Sequence, residues 1–197
     1  KYILSGIIIV DNLENLGIAE LSYFYIAGKT SPTEVVKHTL ERIERLEPKL
    51  GAFEVVLADR AMEAAVGAER AIKNGHRIGP FHGVPFVLKD LIHVEGTVTT
   101  GGTNLYTERV STATAPIAHR LIAGGGILVG KTKTVEVALG PWGTNTQRGT
   151  PWNPWDTKSH RAPGGSSSGT GASVAARLAT CGVGTDTGGS VRIPSAF

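Results

Sequence analysis

The chain of 197 residues is 41% hydrophobic and 19% charged, and its mean hydropathy is 0.00. This composition is that of a globular domain able to bury a core, and it excludes a disordered, collagen-like or coiled-coil chain. The net charge is only +3, and the basic residues are scattered rather than interleaved with aromatic ones, so nucleic-acid binding is not expected.

Membrane and export signals are weak in this sequence. The longest aliphatic run, at residues 7–10, is far too short to cross a bilayer. No basic region followed by an apolar stretch and a small-residue cleavage site opens the chain, so we expect no secretory leader. The single cysteine, Cys181, excludes an internal disulfide bond and fits a reducing compartment, which favours a cytoplasmic protein without a membrane partner.

The first predicted helix begins near Ser31. Ser31 can cap the helix, Pro32 suits its first position, and Glu34 stands at the spacing of a capping box. An apolar face then recurs at helical spacing through Val36, Leu40, Ile43 and Leu46. Pro48 is expected to end this helix.

A second helix is predicted over residues 58–73. Its inward face would carry Ala61, Ala65, Ala68 and Ile72, and an Asn-Gly pair at residues 74–75 gives the end signal. Both helices belong to a helical segment over about residues 15–80. They carry no evident chemistry.

From residue 83 onward, short apolar runs alternate with helical patterns. Strands are expected over residues 84–88, 127–129 and 181–183, and helices over residues 115–123 and 169–180. This alternation predicts an α/β fold in which helices cover a sheet, with its core over about residues 81–197. Residues 151–163, which include three prolines and two tryptophans, are predicted to form a long loop.

Three segments combine reactive side chains with backbone freedom. Lys89 ends an apolar strand, and burial there would lower the pKa of its amine enough for general-base chemistry; a surface lysine is the alternative. The other two segments, residues 163–169 and 184–194, are rich in glycine and serine. In the second, Gly188 and Gly189 could turn N–H groups toward one cavity beside the Ser190 hydroxyl. That arrangement would be an oxyanion hole next to a nucleophile, with a plain glycine-rich turn as the alternative.

Other chemistries fit these segments less well. Residues 164–171 lack the Gly-Lys-Ser/Thr ending of a P-loop, and Val174 stands where a dinucleotide motif has its third glycine. Ser167 lies in a G-x-S-x-G pattern typical of the nucleophile elbow of α/β-hydrolases, but no strand precedes it. One cysteine and six dispersed histidines give no metal-ligand spacing, so no metal site is expected.

Taken in order, the three segments resemble the amidase signature family. The family's core is a Gly-Gly-Ser-Ser stretch, an alanine-rich helix and a Gly-Thr/Ser-Asp-x-Gly-Gly-Ser-x-Arg-x-Pro motif, matched here at residues 164–167 and 184–194. The strand ending in Lys89 and Asp90 is also similar. Further matches lie at residues 99–103, 130–132 and 153–156.

The resemblance implies the amidase signature fold, an α/β architecture in which helices cover a mixed β-sheet. It covers about residues 15–197, so residues 1–197 are expected to form the N-terminal portion of one such domain. Family members are more than twice as long, and the remainder of the domain would supply further strands and much of the acyl pocket. We therefore expect this chain to be incomplete as a catalyst.

The resemblance also implies a Ser–cis-Ser–Lys triad. Ser190 matches the nucleophile, Ser166 the bridging serine in a cis peptide bond, and Lys89 the general base. The backbone oxyanion hole matches Thr187, Gly188, Gly189 and Ser190, and the supporting polar residues match Ser167, Asp186 and Arg192. Ser168 and Thr170 differ from the usual family residues, which affects packing beside the triad. No metal or organic cofactor is implied.

The activity implied by the resemblance is hydrolysis of a small or aromatic carboxamide through a seryl acyl-enzyme. Gly140 and Trp142 match a substrate-lining loop, with packing of Trp142 beneath the loop as the alternative.

Two other functions stay open: the glutaminase subunit of a tRNA-dependent amidotransferase, and a catalytically incomplete fragment. The first is disfavoured because residues 134–137 and 141–142 differ from that subunit's Met-Asp-Glu-Phe and Ser-Ser. The expected partners are a small amide substrate and the remainder of the domain, with a homodimer as a further option.

Overall fold

Helices and strands alternate along residues 12–197, which are the residues that the computed structural model describes. The helices are α1 (Ile18–Ile26), α2 (Pro32–Leu50), α3 (Ala58–Lys73), α4 (Pro116–Ala123), α5 (Ser168–Ala175) and α6 (Arg192–Ala196). The strands are β1 (Phe53–Val56), β2 (Pro85–Lys89), β3 (Ile127–Thr132) and β4 (Cys181–Val183). The aliphatic run at residues 7–10 lies outside the described residues, and within them no helix has the length and apolar character that a bilayer crossing needs.

The strands form one mixed sheet in the order β1-β3-β2-β4. β2 runs parallel to β3 and β4, and β1 is antiparallel to β3. A mixed sheet covered by helices confirms the expected fold class. β1 is not predicted from the sequence, because four residues squeezed between two helices carry too little periodicity to identify a strand.

The sheet has a different helical cover on each face. On one face α2, α3 and α5 share a core with β2 and β3, built from Val36, Ile43, Ala61, Ala65, Val87, Val129 and Ala172. On the other face Ala118 of α4 packs with Phe86, Leu88 and Leu128. Because successive residues of a strand point to opposite faces, Lys89 lies on the same face as Val87, toward α5.

The predicted end of α2 at Pro48 is wrong by two residues, since the helix continues to Leu50. A proline in the last turn removes only one N–H donor, so the helix can pass through it. Gly51, in a left-handed conformation (φ 57°), ends the helix. The carboxylate of Glu47 then accepts the N–H groups of Ala52 (3.0 Å) and Phe53 (2.8 Å), which leads the chain into β1.

The predicted end of α5 is also wrong, since the helix stops at Ala175 rather than at residue 180. Arg177 takes a left-handed conformation (φ 58°) that turns the chain toward β4. The guanidinium of Arg42 on α2 donates to the carbonyls of Ala176 (2.9 Å) and Arg177 (3.2 Å). These contacts satisfy carbonyl groups that a longer helix would otherwise have to pair.

The remaining predicted elements are confirmed, with small changes of boundary. α3 has the predicted limits and buries Ala61, Ala65 and Ala68 as expected, while Ile72 is half-buried. The predicted strand at residues 84–88 is β2, shifted by one residue, and β3 extends three residues further than predicted. Residues 151–163 form a loop without helix or strand, as expected.

Candidate active site

Lys89 is the last residue of β2, and its side chain is fully buried. Its Nζ lies 2.7 Å from Ser166 Oγ and 2.9 Å from Thr185 Oγ1. Both partners are hydroxyl groups, which can donate a hydrogen bond as well as accept one. The site can therefore hold Lys89 as a neutral amine, which a carboxylate partner would oppose.

The electrostatic surroundings of Lys89 favour that neutral form. Burial lowers the pKa of the Lys89 amine to about 8, and the negative charge of Asp186 opposes part of this shift. A lysine with a pKa close to neutral carries enough free amine to take up a proton at working pH. Geometry and burial together identify Lys89 as a candidate general base.

Ser166 is fully buried, and the peptide bond between Gly165 and Ser166 is cis. Its carbonyl oxygen accepts hydrogen bonds from the Val135 N–H (3.1 Å) and the Thr134 hydroxyl (3.0 Å). These contacts leave the Ser166 hydroxyl directed to Lys89. The backbone of Ser166 is thus fixed by the segment that follows β3.

Gly165 allows a second loop to approach Ser166 closely. A Cβ at Gly165 would lie 2.7 Å from the Gly143 nitrogen and 2.9 Å from the Gly140 carbonyl oxygen. Contacts this short mean that a side chain at residue 165 would force one of the two backbone segments to shift. The loop over residues 140–143 therefore packs directly against the turn that carries Ser166.

Ser190 joins this group through its backbone. Its carbonyl oxygen accepts the Ser167 N–H at 3.1 Å, and its side chain is half-buried. Among the side-chain hydrogen bonds of residues 12–197, none joins the Ser190 hydroxyl to Ser166. The structure thus brings Lys89 and Ser166 into direct contact and places Ser190 beside them without that last hydrogen bond, a contact that often tightens only when substrate binds.

Ser167 fastens the loop after β4 to the turn before α5. Its hydroxyl accepts the Thr185 N–H (3.3 Å) and lies 3.4 Å from the Thr185 carbonyl. The side chain is almost completely buried. A buried hydroxyl with both contacts to one backbone unit is not placed to attack a substrate, so Ser167 does not support the nucleophile-elbow alternative.

Asp186 and Arg192 shape the loop that carries Ser190. Arg192 donates to the Asp186 carboxylate from Nε (3.0 Å) and Nη2 (2.9 Å). The same carboxylate accepts the backbone N–H groups of Gly189 (2.7 Å), Val191 (3.0 Å) and Arg192 (3.2 Å). The Arg192 guanidinium and these N–H groups hold the pKa of the Asp186 carboxyl far below its usual range.

The backbone N–H groups expected to form the oxyanion hole differ in their partners, and the oxyanion hole itself stays a prediction. The Gly189 N–H already donates to Asp186, because a carboxylate is a stronger acceptor than any neutral group nearby. In the described part of the chain, the N–H groups of Thr187, Gly188 and Ser190 have no protein acceptor. These three N–H groups are therefore unoccupied, whereas that of Gly189 is bound to Asp186.

Gly140 and Trp142 lie on an exposed loop after β3. The Trp142 side chain is 65% exposed and that of Leu139 83% exposed, so Trp142 is not packed beneath its own loop. Val137 and Ala138 have left-handed conformations (φ 44° and 59°), which turn this segment outward. The loop presents apolar side chains beside the Ser166 turn.

Thr185 is a site residue that the sequence interpretation missed. Its hydroxyl is the second partner of Lys89. A signal for it was available, since Thr185 follows β4 by two residues and Lys89 ends β2. The carboxyl ends of neighbouring parallel strands meet at the same edge of a sheet, which brings such residues together.

Comparisons with known proteins show which family this chain is similar to. The sequence pattern of the family described as Amidase matches residues 34–197. The A subunit of glutamyl-tRNA(Gln) amidotransferase from Symbiobacterium thermophilum is 41% identical over 183 residues, which is 92% of this chain and 37% of that protein. The chain thus spans just over a third of the length of this curated relative.

Solved structures give the same fold. The peptide amidase of Stenotrophomonas maltophilia superposes with a TM-score of 0.85 at 31% identity, over 92% of this chain and 38% of that one. A bacterial aryl acylamidase superposes with a TM-score of 0.86 at 30% identity, over 94% of this chain and 38% of that one.

Proposed function

Because the chain belongs to the amidase signature family, we propose that it carries the reacting groups of an enzyme that hydrolyses a carboxamide. Ser190 is the nucleophile, Ser166 relays its proton, and Lys89 is the base. One observation carries this proposal: the fully buried Lys89 amine lies 2.7 Å from the Ser166 hydroxyl, and its partners among residues 12–197 are hydroxyl groups only. A buried lysine without a carboxylate partner is poorly suited to a purely structural role.

The first half of the reaction forms an acyl-enzyme. Neutral Lys89 takes the proton of Ser166 while Ser166 takes that of Ser190, and the freed electron pair of Ser190 Oγ forms a bond to the amide carbon. The π pair of the carbonyl moves onto oxygen, where the N–H groups of Thr187, Gly188 and Ser190 stabilise the charge. When the C–N bond breaks, the nitrogen takes the proton back from Lys89 through Ser166. Ammonia or an amine leaves.

The second half of the reaction releases the acid. Water attacks the acyl carbon while its proton passes through Ser166 to Lys89. The ester bond then breaks, Ser190 Oγ regains a proton by the same route, and a carboxylic acid leaves, which releases its remaining proton to bulk water and becomes a carboxylate. Lys89, Ser166 and Ser190 are all returned to their starting states, so the chain's own groups close the cycle.

The substrate we propose is a small or aromatic amide. The support for this is the exposed indole of Trp142, on a loop that packs against Gly165 next to Ser166. An exposed aromatic side chain on a loop that packs beside Ser166 can stack on a planar acyl group. Gly140 belongs to the same loop and keeps its backbone close to the turn.

A second candidate function is the glutaminase step of an amidotransferase. Relatives named as amidotransferase A subunits are 38–43% identical to this chain, against 30–31% for the peptide amidase and aryl acylamidase structures. Against it stand Val137 and Trp142, exposed apolar side chains in segments where that subunit typically has Phe and Ser. Ammonia release from glutamine and from benzamide, compared in the same preparation, separates the two. A marked preference for glutamine would favour the glutaminase.

The experiment that tests the proposal is labelling with a fluorophosphonate, followed by tryptic mass mapping. Trypsin releases residues 162–177, with Ser166 and Ser167, separately from residues 178–192, with Ser190. An adduct on the second peptide supports Ser190 as nucleophile, and an adduct on the first contradicts it. An adduct on neither would mean that residues 1–197 do not form a working site by themselves, which is the third function left open.

A further inference from the structure

A second buried lysine, Lys131, lies beside Lys89 on the neighbouring strand and has no part in the proposed reaction. In the register of β2 and β3, Lys131 pairs with Leu88 and Lys89 pairs with Thr132. The two lysines therefore point to opposite faces of the sheet. Both side chains are fully buried, so each must find its partners inside the protein.

The partners of Lys131 are those of an ammonium group. Its Nζ lies 2.5 Å from Asp90 Oδ1, 2.6 Å from Thr99 Oγ1 and 2.8 Å from the Val98 carbonyl oxygen. Two hydrogen bonds and one carboxylate contact surround the amine, a set of oxygen atoms that suits a charged lysine, which donates hydrogen bonds and accepts none. Lys89, by contrast, has only hydroxyl partners among residues 12–197, so the two buried lysines of this sheet differ in whether a carboxylate faces the amine.

Both carboxylate oxygens of Asp90 are in contact with buried polar groups. Its Oδ2 accepts the N–H (2.9 Å) and the hydroxyl (2.5 Å) of Thr100. For Oδ1, the contact with Lys131 is an ion pair rather than an aligned hydrogen bond, and no other polar partner of Oδ1 is found among residues 12–197. Removing Lys131 would therefore leave a buried carboxylate oxygen with no partner there, which is costly.

The backbone of Asp90 connects this pair to both parts of the candidate site. Its N–H donates to the Thr132 carbonyl (2.9 Å), which ties the residue after Lys89 to β3. Its carbonyl accepts the Gly101 N–H (3.0 Å), which fixes the turn at residues 100–102. Asp90 thus holds the end of β2 on one side and the turn on the other.

The turn at residues 100–102 anchors the loop that carries Trp142. The Gly101 carbonyl accepts the Val137 N–H (2.8 Å), and the Gly102 carbonyl accepts the side-chain amide of Asn145 (2.7 Å). Val137 and Asn145 stand on either side of Trp142 in the chain. The loop between them is held at both ends by a turn that Asp90 fixes.

We propose that Asp90 and Lys131 are a positioning pair for the reaction: their buried ion pair, on the face of the sheet away from Ser166, fixes both the end of β2 that carries Lys89 and the turn that anchors the Trp142 loop. The role rests on the proposed function, since it acts through Lys89 and Trp142. Small displacements of a reacting group can cost much of its rate, so loosening this pair reduces the rate without touching a reacting atom.

The test compares Lys131→Met and Asp90→Asn with the control Lys73→Met in the full-length protein. Lys73 also pairs with a carboxylate, that of Glu69 at 2.6 Å, but on the exposed surface of α3. Two quantities are measured well below each variant's melting temperature. The first is the rate of Ser190 labelling by a fluorophosphonate, separated into the maximal rate and the half-saturating concentration. The second is hydrogen exchange in peptides covering residues 97–103 and 135–146.

For the two pair variants we expect the maximal labelling rate to fall about tenfold with an unchanged half-saturating concentration. We also expect faster exchange in those peptides but not in α2 or α3. Labelling and exchange like those of Lys73→Met would overturn the proposal. So would a lower melting temperature accompanied by the parent labelling rate, because that is the result of a purely structural pair.

Two further outcomes are also decisive. If Lys131→Met does not fold, the double variant Asp90→Asn/Lys131→Met replaces it, because it removes both charges and keeps an acceptor for Thr100. A labelling rate equal to that of the parent protein would overturn the proposal. A reduced labelling rate in the double variant would support it. If the parent protein itself is not labelled at Ser190, the proposed function fails. The exchange measurement then still decides whether the pair holds the turn and the loop.

Discussion

The amine of Lys89 lies 2.9 Å from the hydroxyl of Thr185, which joins the ends of two neighbouring parallel strands at the candidate base. This contact gives Lys89 a second hydroxyl partner besides Ser166. It also sets the side chain's direction, because an amine held at two points cannot rotate away from Ser166. Thr185 is therefore a positioning residue in the proposed reaction.

Replacement of Thr185 by valine keeps the shape of the side chain and removes the hydroxyl. We expect the rate of Ser190 labelling to fall about tenfold, because Lys89 loses one of its two fixed partners. The loss of an acceptor for the ammonium form also lowers the pKa of Lys89 further, so the midpoint of the pH–rate profile moves to lower pH. Thr157→Val, on the exposed loop after β3, serves as the control, and an identical profile in both variants would contradict the assignment.

The pH dependence of labelling follows from Lys89. Its pKa is lowered to about 8 by burial, and the reaction needs the neutral amine. The labelling rate should therefore rise with pH, level off above about 8, and fall about tenfold for each pH unit below that value. A rate that is flat between pH 6 and pH 9, or that falls as the pH rises, would rule out Lys89 as the base.

Replacement of Lys89 by methionine tests the same group directly. The unbranched side chain fills much of the same buried space without a titratable amine, and we expect the labelling rate to fall by about 100-fold or more. The residual rate should no longer rise near pH 8. Lys37→Met, on the exposed surface of α2, should keep both the rate and its pH dependence.

Gly165 and Gly67 offer a matched pair of glycine-to-alanine substitutions. A Cβ at Gly165 would lie 2.7 Å from the Gly143 nitrogen, whereas one at Gly67 on α3 would meet nothing within 4 Å. Gly165→Ala should lower the free energy of unfolding by about 2 kcal/mol, and Gly67→Ala should raise it by up to about 1 kcal/mol. Urea unfolding measures both, and an equal effect of the two substitutions would show that the approach at Gly165 is not tight.

Trp142→Ala tests the substrate loop separately from the reacting groups. We expect KM for an aryl amide such as benzamide to rise about tenfold, because stacking on the indole is lost. The rate of fluorophosphonate labelling at Ser190 should stay unchanged, since the small reagent does not need the loop. Unchanged KM for both aryl and aliphatic amides would remove Trp142 from the substrate site.

Most of the fold could be predicted from local patterns. The capping signals at Ser31 and Pro32, the alanine face of α3 and the apolar runs of β2 and β3 all lie within short windows of sequence, and the structure places these elements as expected. Of the two errors in helix ends, that of α2 is local, since Pro48 lies within the last turn, whereas that of α5 involves a distant contact. Arg42 ends α5 from another helix, and no pattern within residues 169–180 could report that contact.

The candidate site likewise has features that the sequence predicts and features that it does not. Resemblance of the motifs singled out Lys89 and Ser166, which the structure places in hydrogen-bond contact, while their catalytic roles stay predictions. It did not reveal that Asp186 occupies the Gly189 N–H. Which backbone donors of a glycine-rich loop remain free depends on where a nearby carboxylate folds back, and residue types alone do not specify that.

β1 has a consequence for any attempt to divide this chain. Its four residues come from the helical N-terminal segment, yet they pair with β3 in the middle of the sheet that carries Lys89. Expression of residues 81–197 alone would expose the hydrogen-bonding edge of β3 together with the apolar surface that α2 and α3 cover. An uncovered edge of this kind invites pairing with other chains. Separating the helices from the sheet would thus convert an internal strand pairing into an exposed edge prone to aggregation. The two pieces should therefore be expressed together.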